Sequence, residues 1–174
     1  LDANSLAVPD LALRALRLEL GRTQSFAVTA LTASTRTPPD EPWIERQAGA
    51  LDALGPAIAA YVRKLSVASL PPALVEALAH SLRTLQYQQS AVGAARQACN
   101  LGTVLGPPSE PELVAAADAF RQAAANLAAS ADASQTDFNA VRVEQLLLDT
   151  ENRYQALKEA LLLQGAHARL DINT

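Results

Sequence analysis

Apolar residues in this chain recur at alternating steps of four and three residues, and this spacing constrains its fold more than any other feature. One series contains Leu113, Ala117, Phe120, Ala124, Leu127 and Ala131. Another contains Val143, Leu147, Thr150, Tyr154, Leu157 and Leu161. A mean step of about 3.5 residues places such side chains along one face of an α-helix that packs lengthwise against a neighbour. The spacing therefore predicts long helices packed side by side.

The composition agrees with a helical fold. The chain has 174 residues, of which 37 are Ala and only 7 are Gly. Ala has the highest intrinsic helix propensity, and the length is sufficient for one domain with a real core. We therefore predict one all-α domain over residues 1–174, an antiparallel up-and-down bundle of five long helices.

Prolines and polar segments separate the first three predicted helices. Helix 1 is predicted over residues 9–35. Helix 2 begins at the cap Asp40, with Pro42 in its first turn. Helix 3 is predicted over about residues 71–100, with Gly102 as its C-terminal cap.

The last two predicted helices have their own start and stop signals. Ser109 and Glu112 have the spacing of a capping box, which predicts the start of helix 4. Gly165 is predicted to end helix 5, and Asp171 to cap the start of a sixth helix.

The order of helices and loops indicates a duplicated three-helix unit. The predicted halves are 9–101 and 109–174, with the last helix cut short. The chain begins at Leu1 and contains no Met, so we expect it to be a fragment of a longer chain.

The same spacing predicts which side chains are buried in helices 2 and 3. In helix 2 they are Ile44, Ala48, Leu51, Ile58, Val62 and Leu65. In helix 3 they are Val75, Leu78, Leu82, Leu85, Val92 and Cys99. If Leu82 is buried, its truncation to Ala is expected to cost about 2–5 kcal/mol.

Charge and hydropathy exclude some classes of function. The net charge is −4 and the basic residues are scattered, whereas nucleic-acid-binding domains normally present a basic face. No segment reaches the roughly 18 apolar residues of a membrane-spanning helix. Cys99 is the single cysteine, which excludes a disulfide within the chain and favours a small buried side chain.

The residue pattern contains no catalytic constellation. His80 and His167 lie on different predicted helices without a second ligand at metal-binding spacing. Asp149 and Arg153 are four residues apart, as in an ion pair on a solvated helix face. We therefore expect no catalytic residue, no cofactor and no enzyme activity.

Two stretches of the chain carry a family resemblance, "LALRALRLELGRTQSFA" in helix 1 and residues 50–86. Both resemble the PhoU family, in the form found as the cytosolic C-terminal domain of bacterial sodium/phosphate cotransporters. The second stretch carries an aromatic-basic-Leu-Ser segment at the end of a helix. Its members here are Tyr61, Arg63, Lys64, Leu65 and Ser66.

The PhoU family usually carries an acidic metal-binding signature on the third helix of each repeat. At that place this chain has Gln86, Gln88, Gln89, Ser90 and Gly93. No carboxylate occurs between Glu76 and Glu110, and neutral amides are poor ligands for iron or zinc. We therefore expect a degenerate position without metal at Gln86, Gln89, Ser90 and Gly93. The glutamines either form hydrogen bonds across the bundle or lie on a partly exposed face.

The resemblance implies a non-catalytic regulatory domain of a sodium-dependent phosphate symporter. It would act on the membrane-embedded region of the same chain, at the cytoplasmic face of the bacterial inner membrane. A homodimer is also compatible with the pattern, and no nucleic-acid partner is expected. The alternative is a helical protein–protein interaction or dimerisation module unrelated to phosphate.

Overall fold

Five α-helices form the described part of the chain. The computed structural model describes residues 8–66, 71–105, 108, 110–132 and 136–170, with the backbone alone for 9, 66, 103–105 and 167–170. The helices are α1 (Pro9–Ser34), α2 (Glu41–Ser66), α3 (Pro72–Leu105), α4 (Pro111–Ser130) and α5 (Ala140–Leu170). The prediction of an all-α helical bundle is confirmed.

The start of α2 follows the predicted chemistry. The Asp40 Oδ1 atom accepts a hydrogen bond of 3.2 Å from the Trp43 backbone N–H, as an N-cap side chain does. Pro56 lies inside α2, which continues without a break from Glu41 to Ser66.

Helix 4 starts later than predicted, and Ser109, the predicted cap, lies outside the described residues. Helix α4 begins at Pro111, and Glu110 is its N-cap without a side-chain capping bond. Proline is well suited to the first helical position because its φ angle is already helical and its missing N–H would have no partner there. The proline therefore sets the start of α4, one residue later than a cap at Ser109 requires.

The two glycines predicted to end helices lie inside them. Helix α3 continues past Gly102 to Leu105, and α5 continues past Gly165 to Leu170. A glycine ends a helix when it adopts left-handed backbone, and neither glycine has a positive φ angle. Residues 169–170 thus belong to α5, and the predicted cap Asp171 lies outside the described residues.

Helices α1, α2 and α3 pack on one another around the main core. The six apolar residues predicted to face inward in helix 2 are all buried, at 4% exposure or less. Helix α1 contributes Leu16, Leu20 and the small residues Ala27, Ala30 and Ala33. Their small volume brings the helix backbones close together, which explains a core with so few aromatic side chains.

The inward face of α3 differs from the predicted one. Leu82 is 41% exposed and Val75 is 53% exposed, so the prediction that both are buried is wrong. The buried positions follow one another at alternating steps of three and four. They are Leu78, Ser81, Leu85, Gln88, Val92, Ala95 and Cys99. This series includes the polar residues Ser81 and Gln88, whereas the predicted series contained only apolar residues such as Leu82.

Helices α4 and α5 form a hairpin joined to the bundle through α4. Helix α4 packs on α5 and on α1, whereas α5 packs extensively on α4 alone among the described residues. Gln24 bonds to Ala131, and Thr37 bonds to Arg121, so α1 and α4 run in opposite directions. None of the described helices combines the length and hydropathy needed to cross a bilayer.

Candidate interaction site

The predicted degenerate metal position does not assemble into a site. Gln86, Gln89 and Ser90 are exposed, and Gly93 is half-buried. Gln89 lies against α2, where a Cβ atom added to Gly55 would approach its Nε2 atom to 2.7 Å. Gly55 thus leaves room for the Gln89 amide at the α2–α3 contact.

Gln88 is the glutamine of this turn that enters the core. Its Nε2 atom donates to the Leu20 carbonyl oxygen at 3.2 Å and to Gln24 Oε1 at 3.4 Å. Its Oε1 atom lies within hydrogen-bonding distance of the Thr23 hydroxyl. Gln24 in turn donates to the Ala131 carbonyl oxygen at 2.7 Å. The network therefore joins α3 to α1 and α1 to the end of α4.

Thr23 and Gln24 were absent from the predicted site. Gln88 belongs to the glutamine turn named from the sequence, and its hydrogen bonds across the bundle are one of the two roles expected there. It occupies the polar step of the series that runs from Leu85 to Val92. No buried side-chain nitrogen or oxygen of the described residues lacks a hydrogen-bond partner. A fully bonded amide network of this kind makes the packing of the helices that it joins more rigid and more specific.

The ionisable residues form ion pairs near the surface. Arg96 on α3 bridges Glu45 at 3.0 Å and Asp52 at 3.3 Å, both on α2. The hydrogen bonds that Arg96 donates to the Glu45 carboxylate are the main reason that the pKa of Arg96 is raised. The predicted pair Asp149–Arg153 is confirmed at 3.4 Å.

The remaining candidates for chemistry lie apart. His80 is exposed, 3.7 Å from Glu76 on the same helix face, and the His167 side chain lies outside the described residues. Cys99 is buried, and burial raises the pKa of its thiol, as do Glu41 and Glu45. Within the described ranges, no three His, Cys, Asp or Glu side chains are grouped closely enough to hold a metal ion.

An apolar groove of about 980 Å³ separates the three-helix bundle from the α4–α5 hairpin. Residues of the helix 4 series line it, among them Phe120 and Leu127, opposite the small residues Ala98 and Gly102 of α3. Arg36 and Arg121 lie at its edge, and each forms an ion pair with a nearby aspartate. The groove is therefore an apolar surface with neutralised charges at its edge.

Helix α5 presents the largest set of exposed apolar side chains in the described part of the chain. Seven of the fifteen large hydrophobic residues that are exposed there belong to α5. They are Val141, Leu147, Leu148, Tyr154, Leu161, Leu162 and Leu163. Three of these, Leu147, Tyr154 and Leu161, were predicted to face the bundle, and the prediction is wrong for Leu161, which is 50% exposed. Leu147 lines the groove, and the Tyr154 ring lies 5.9 Å from the Phe120 ring of α4, although both side chains are nearly half exposed. Val143, Thr150 and Leu157, on the same side of α5, are partly buried.

Comparison with protein-family models, curated protein sequences and solved structures finds no match to this chain. The functional interpretation therefore depends on the residues and on their geometry.

Proposed function

We propose that this chain is a non-catalytic helical domain that regulates a partner region through helix–helix contact. The observation that supports this function best is the exposed apolar surface of α5. Single exposed leucines are ordinary on a protein surface, but a contiguous apolar patch is typical of an interaction site. The chain keeps its α2 leucines and isoleucines buried, so the exposure on α5 is not a general property of its helices.

The proposed setting is a sodium-dependent phosphate symporter of bacteria. The domain would lie at the cytoplasmic face of the inner membrane and modulate transport by the membrane-embedded region of the same chain. The support is the PhoU-like stretch at residues 50–86, which covers the end of α2 and the first half of α3. A three-helix bundle followed by a helical hairpin is compatible with two units of the PhoU type.

The alternative is a helical interaction or dimerisation module unrelated to phosphate. The exposed leucines of α5 favour it equally, because an apolar helix face carries no information about the transported ion. What separates the two functions is the protein to which the domain is joined.

Sodium-driven phosphate uptake tests the proposed setting. The whole reading frame that contains this chain is expressed in bacteria that lack phosphate uptake, alongside a version without residues 9–170. We expect both to carry out sodium-dependent uptake of labelled phosphate, with a rate or phosphate dependence altered by the deletion. Membrane abundance, measured by immunoblot, serves as the control for expression.

Two results would contradict the proposed setting. The symporter proposal is refuted if the reading frame encodes no membrane spans or if its product does not raise phosphate uptake. The alternative function, an interaction module, then stands. If equal amounts of the whole protein and of the version without residues 9–170 give identical uptake, the proposed regulatory role is refuted.

A further inference from the structure

Between Leu147 and Leu162, eight exposed residues of α5 share one face of the helix. At 100° per residue, they fall within an arc of about 140°. They are Leu147, Leu148, Glu151, Tyr154, Gln155, Lys158, Leu161 and Leu162. The partly buried residues Thr150 and Leu157 occupy the adjoining arc, and Tyr154, near that edge of the face, also contacts Phe120 of α4 while remaining 47% exposed. The eight residues, called the α5 face below, are thus accessible to a second protein while α5 remains packed on α4.

The α5 face has a two-fold pattern. It reads Leu-Leu, Glu, Tyr-Gln, Lys, Leu-Leu, with its midpoint between Tyr154 and Gln155. If a second copy of α5 lies antiparallel across this midpoint, Glu151 is opposite Lys158 of the other copy, and the leucine pairs meet at both ends. An interface between identical chains related by a two-fold axis requires this kind of self-complementary surface.

The charges select an antiparallel partner. Glu151 and Lys158 are seven residues apart, about 10.5 Å along the helix axis, so they do not pair within one chain. Neither forms an ion pair within the described residues, and the Lys158 ammonium lies 5.9 Å from the centre of the Tyr154 ring. A parallel partner in register would place Glu151 against Glu151 and Lys158 against Lys158, which is repulsive.

We propose that the α5 face is a homodimer interface in which α5 pairs antiparallel with α5 of a second copy. This inference rests on the proposed function, since it names the partner of the interaction surface. Two Glu151–Lys158 pairs form around the axis, and five large apolar side chains per chain leave water. These are Leu147, Leu148, Tyr154, Leu161 and Leu162.

Charge reversal tests the pairing directly. Sedimentation equilibrium of the 174-residue chain is expected to show a dimer. Glu151→Lys alone, and Lys158→Glu alone, each place like charges opposite one another and raise the dissociation constant at least about tenfold. An equimolar mixture of the two variants is expected to dimerise again, because every 151–158 contact then joins opposite charges.

Neighbouring leucines provide a matched control. Leu162 is 67% exposed and lies on the α5 face, whereas Leu163 is 60% exposed and lies outside it. Leu162→Glu is expected to abolish the dimer and Leu163→Glu to leave it unchanged. Circular dichroism of all variants is expected to show the same helix content as the parent chain.

The proposal is overturned if the parent chain sediments as a monomer up to millimolar concentration. It is also overturned if the mixture does not recover, or if Leu163→Glu disrupts association as strongly as Leu162→Glu. If the chain is a monomer but deletion of residues 9–170 still alters phosphate uptake, the homodimer is refuted and the proposed function stands. If the chain dimerises but the deletion does not alter uptake, the proposed regulatory function is refuted and the homodimer stands.

Discussion

Gln88 shows how one polar side chain contributes to the packing of three helices. It lies on the inward face of α3, where leucine would bury more apolar surface, and its exposure is only 7%. Its bonds to Leu20, Thr23 and Gln24 compensate for the loss of contact with water. Because these partners sit at one level of α1, the amide favours a single axial position of α3 against α1.

Removal of the Thr23 hydroxyl tests this network. Thr23→Val keeps the side-chain shape but leaves the buried Gln88 Oε1 atom without its partner. We expect a loss of about 1–3 kcal/mol in the free energy of unfolding, measured by urea denaturation. Thr29 is the control, because its hydroxyl donates a hydrogen bond of 2.7 Å to the Ser25 carbonyl oxygen of the same helix and is more exposed than that of Thr23. Thr29→Val should therefore change stability by no more than about 0.5 kcal/mol.

The exposed glutamines lead to a prediction about metal. Gln86 and Gln89 are exposed and neutral, and iron or zinc sites need anionic oxygen, imidazole or thiolate ligands. Protein purified without chelator is expected to contain no stoichiometric iron or zinc, and its melting temperature should not change when chelator is added. Stoichiometric metal that disappears in the Gln86→Ala, Gln89→Ala double variant would restore a metal site at this turn.

At the scale of the helix, the rotation of α3 decides which of its leucines stabilise the fold. Leu85 is buried at 5% exposure, whereas Leu82, one turn earlier, faces outward. The apolar series predicted from the sequence included both leucines. Helices α1 and α2 cover only part of the surface of α3, so both leucines are not buried. The bonds of Gln88 and the packing of Ala95 and Cys99 select the face that contains Leu85.

Truncation of the two leucines distinguishes these faces. Leu85→Ala removes a buried side chain and is expected to lower the free energy of unfolding by about 2–5 kcal/mol. Leu82→Ala changes a partly exposed side chain and should cost about 0.5 kcal/mol or less. Urea melts of both variants measure the difference. Equal losses would mean that α3 is rotated from the orientation described.

At the scale of the whole molecule, the α4–α5 hairpin is the less firmly attached part. The main core lies among α1, α2 and α3, and α5 has extensive contact with α4 alone in the described part of the chain. Local opening is easiest where few buried contacts are broken. The hairpin should therefore open in fluctuations that leave the three-helix bundle folded.

Hydrogen exchange measures this difference within one chain. The Glu151→Lys variant is suitable because association of α5 would otherwise protect it. We expect the middle of α5 to exchange well before the middle of α2, a helix of comparable length whose inward face is fully buried. Protection of α5 equal to that of α2 would show that the hairpin and the bundle unfold as one unit.

The sequence by itself determined the helices and the buried face of α2. Helix propensity, proline position and the cap at Asp40 act within a few residues, so they do not require knowledge of the neighbours. Gln88 was also identifiable in principle, since its position completes a regular series of three- and four-residue steps.

The tertiary structure alone decided which face of α3 and of α5 is buried. Helix α5 carries more apolar side chains than one neighbouring helix can cover. Leu157 is partly buried and Tyr154 contacts Phe120 of α4, whereas Leu148, Leu161 and Leu162 stay exposed. The tertiary structure was also needed to show that α3 continues beyond Gly102 and α5 beyond Gly165. A glycine stops a helix only when the surrounding chain leaves it free to turn, and here both remain helical.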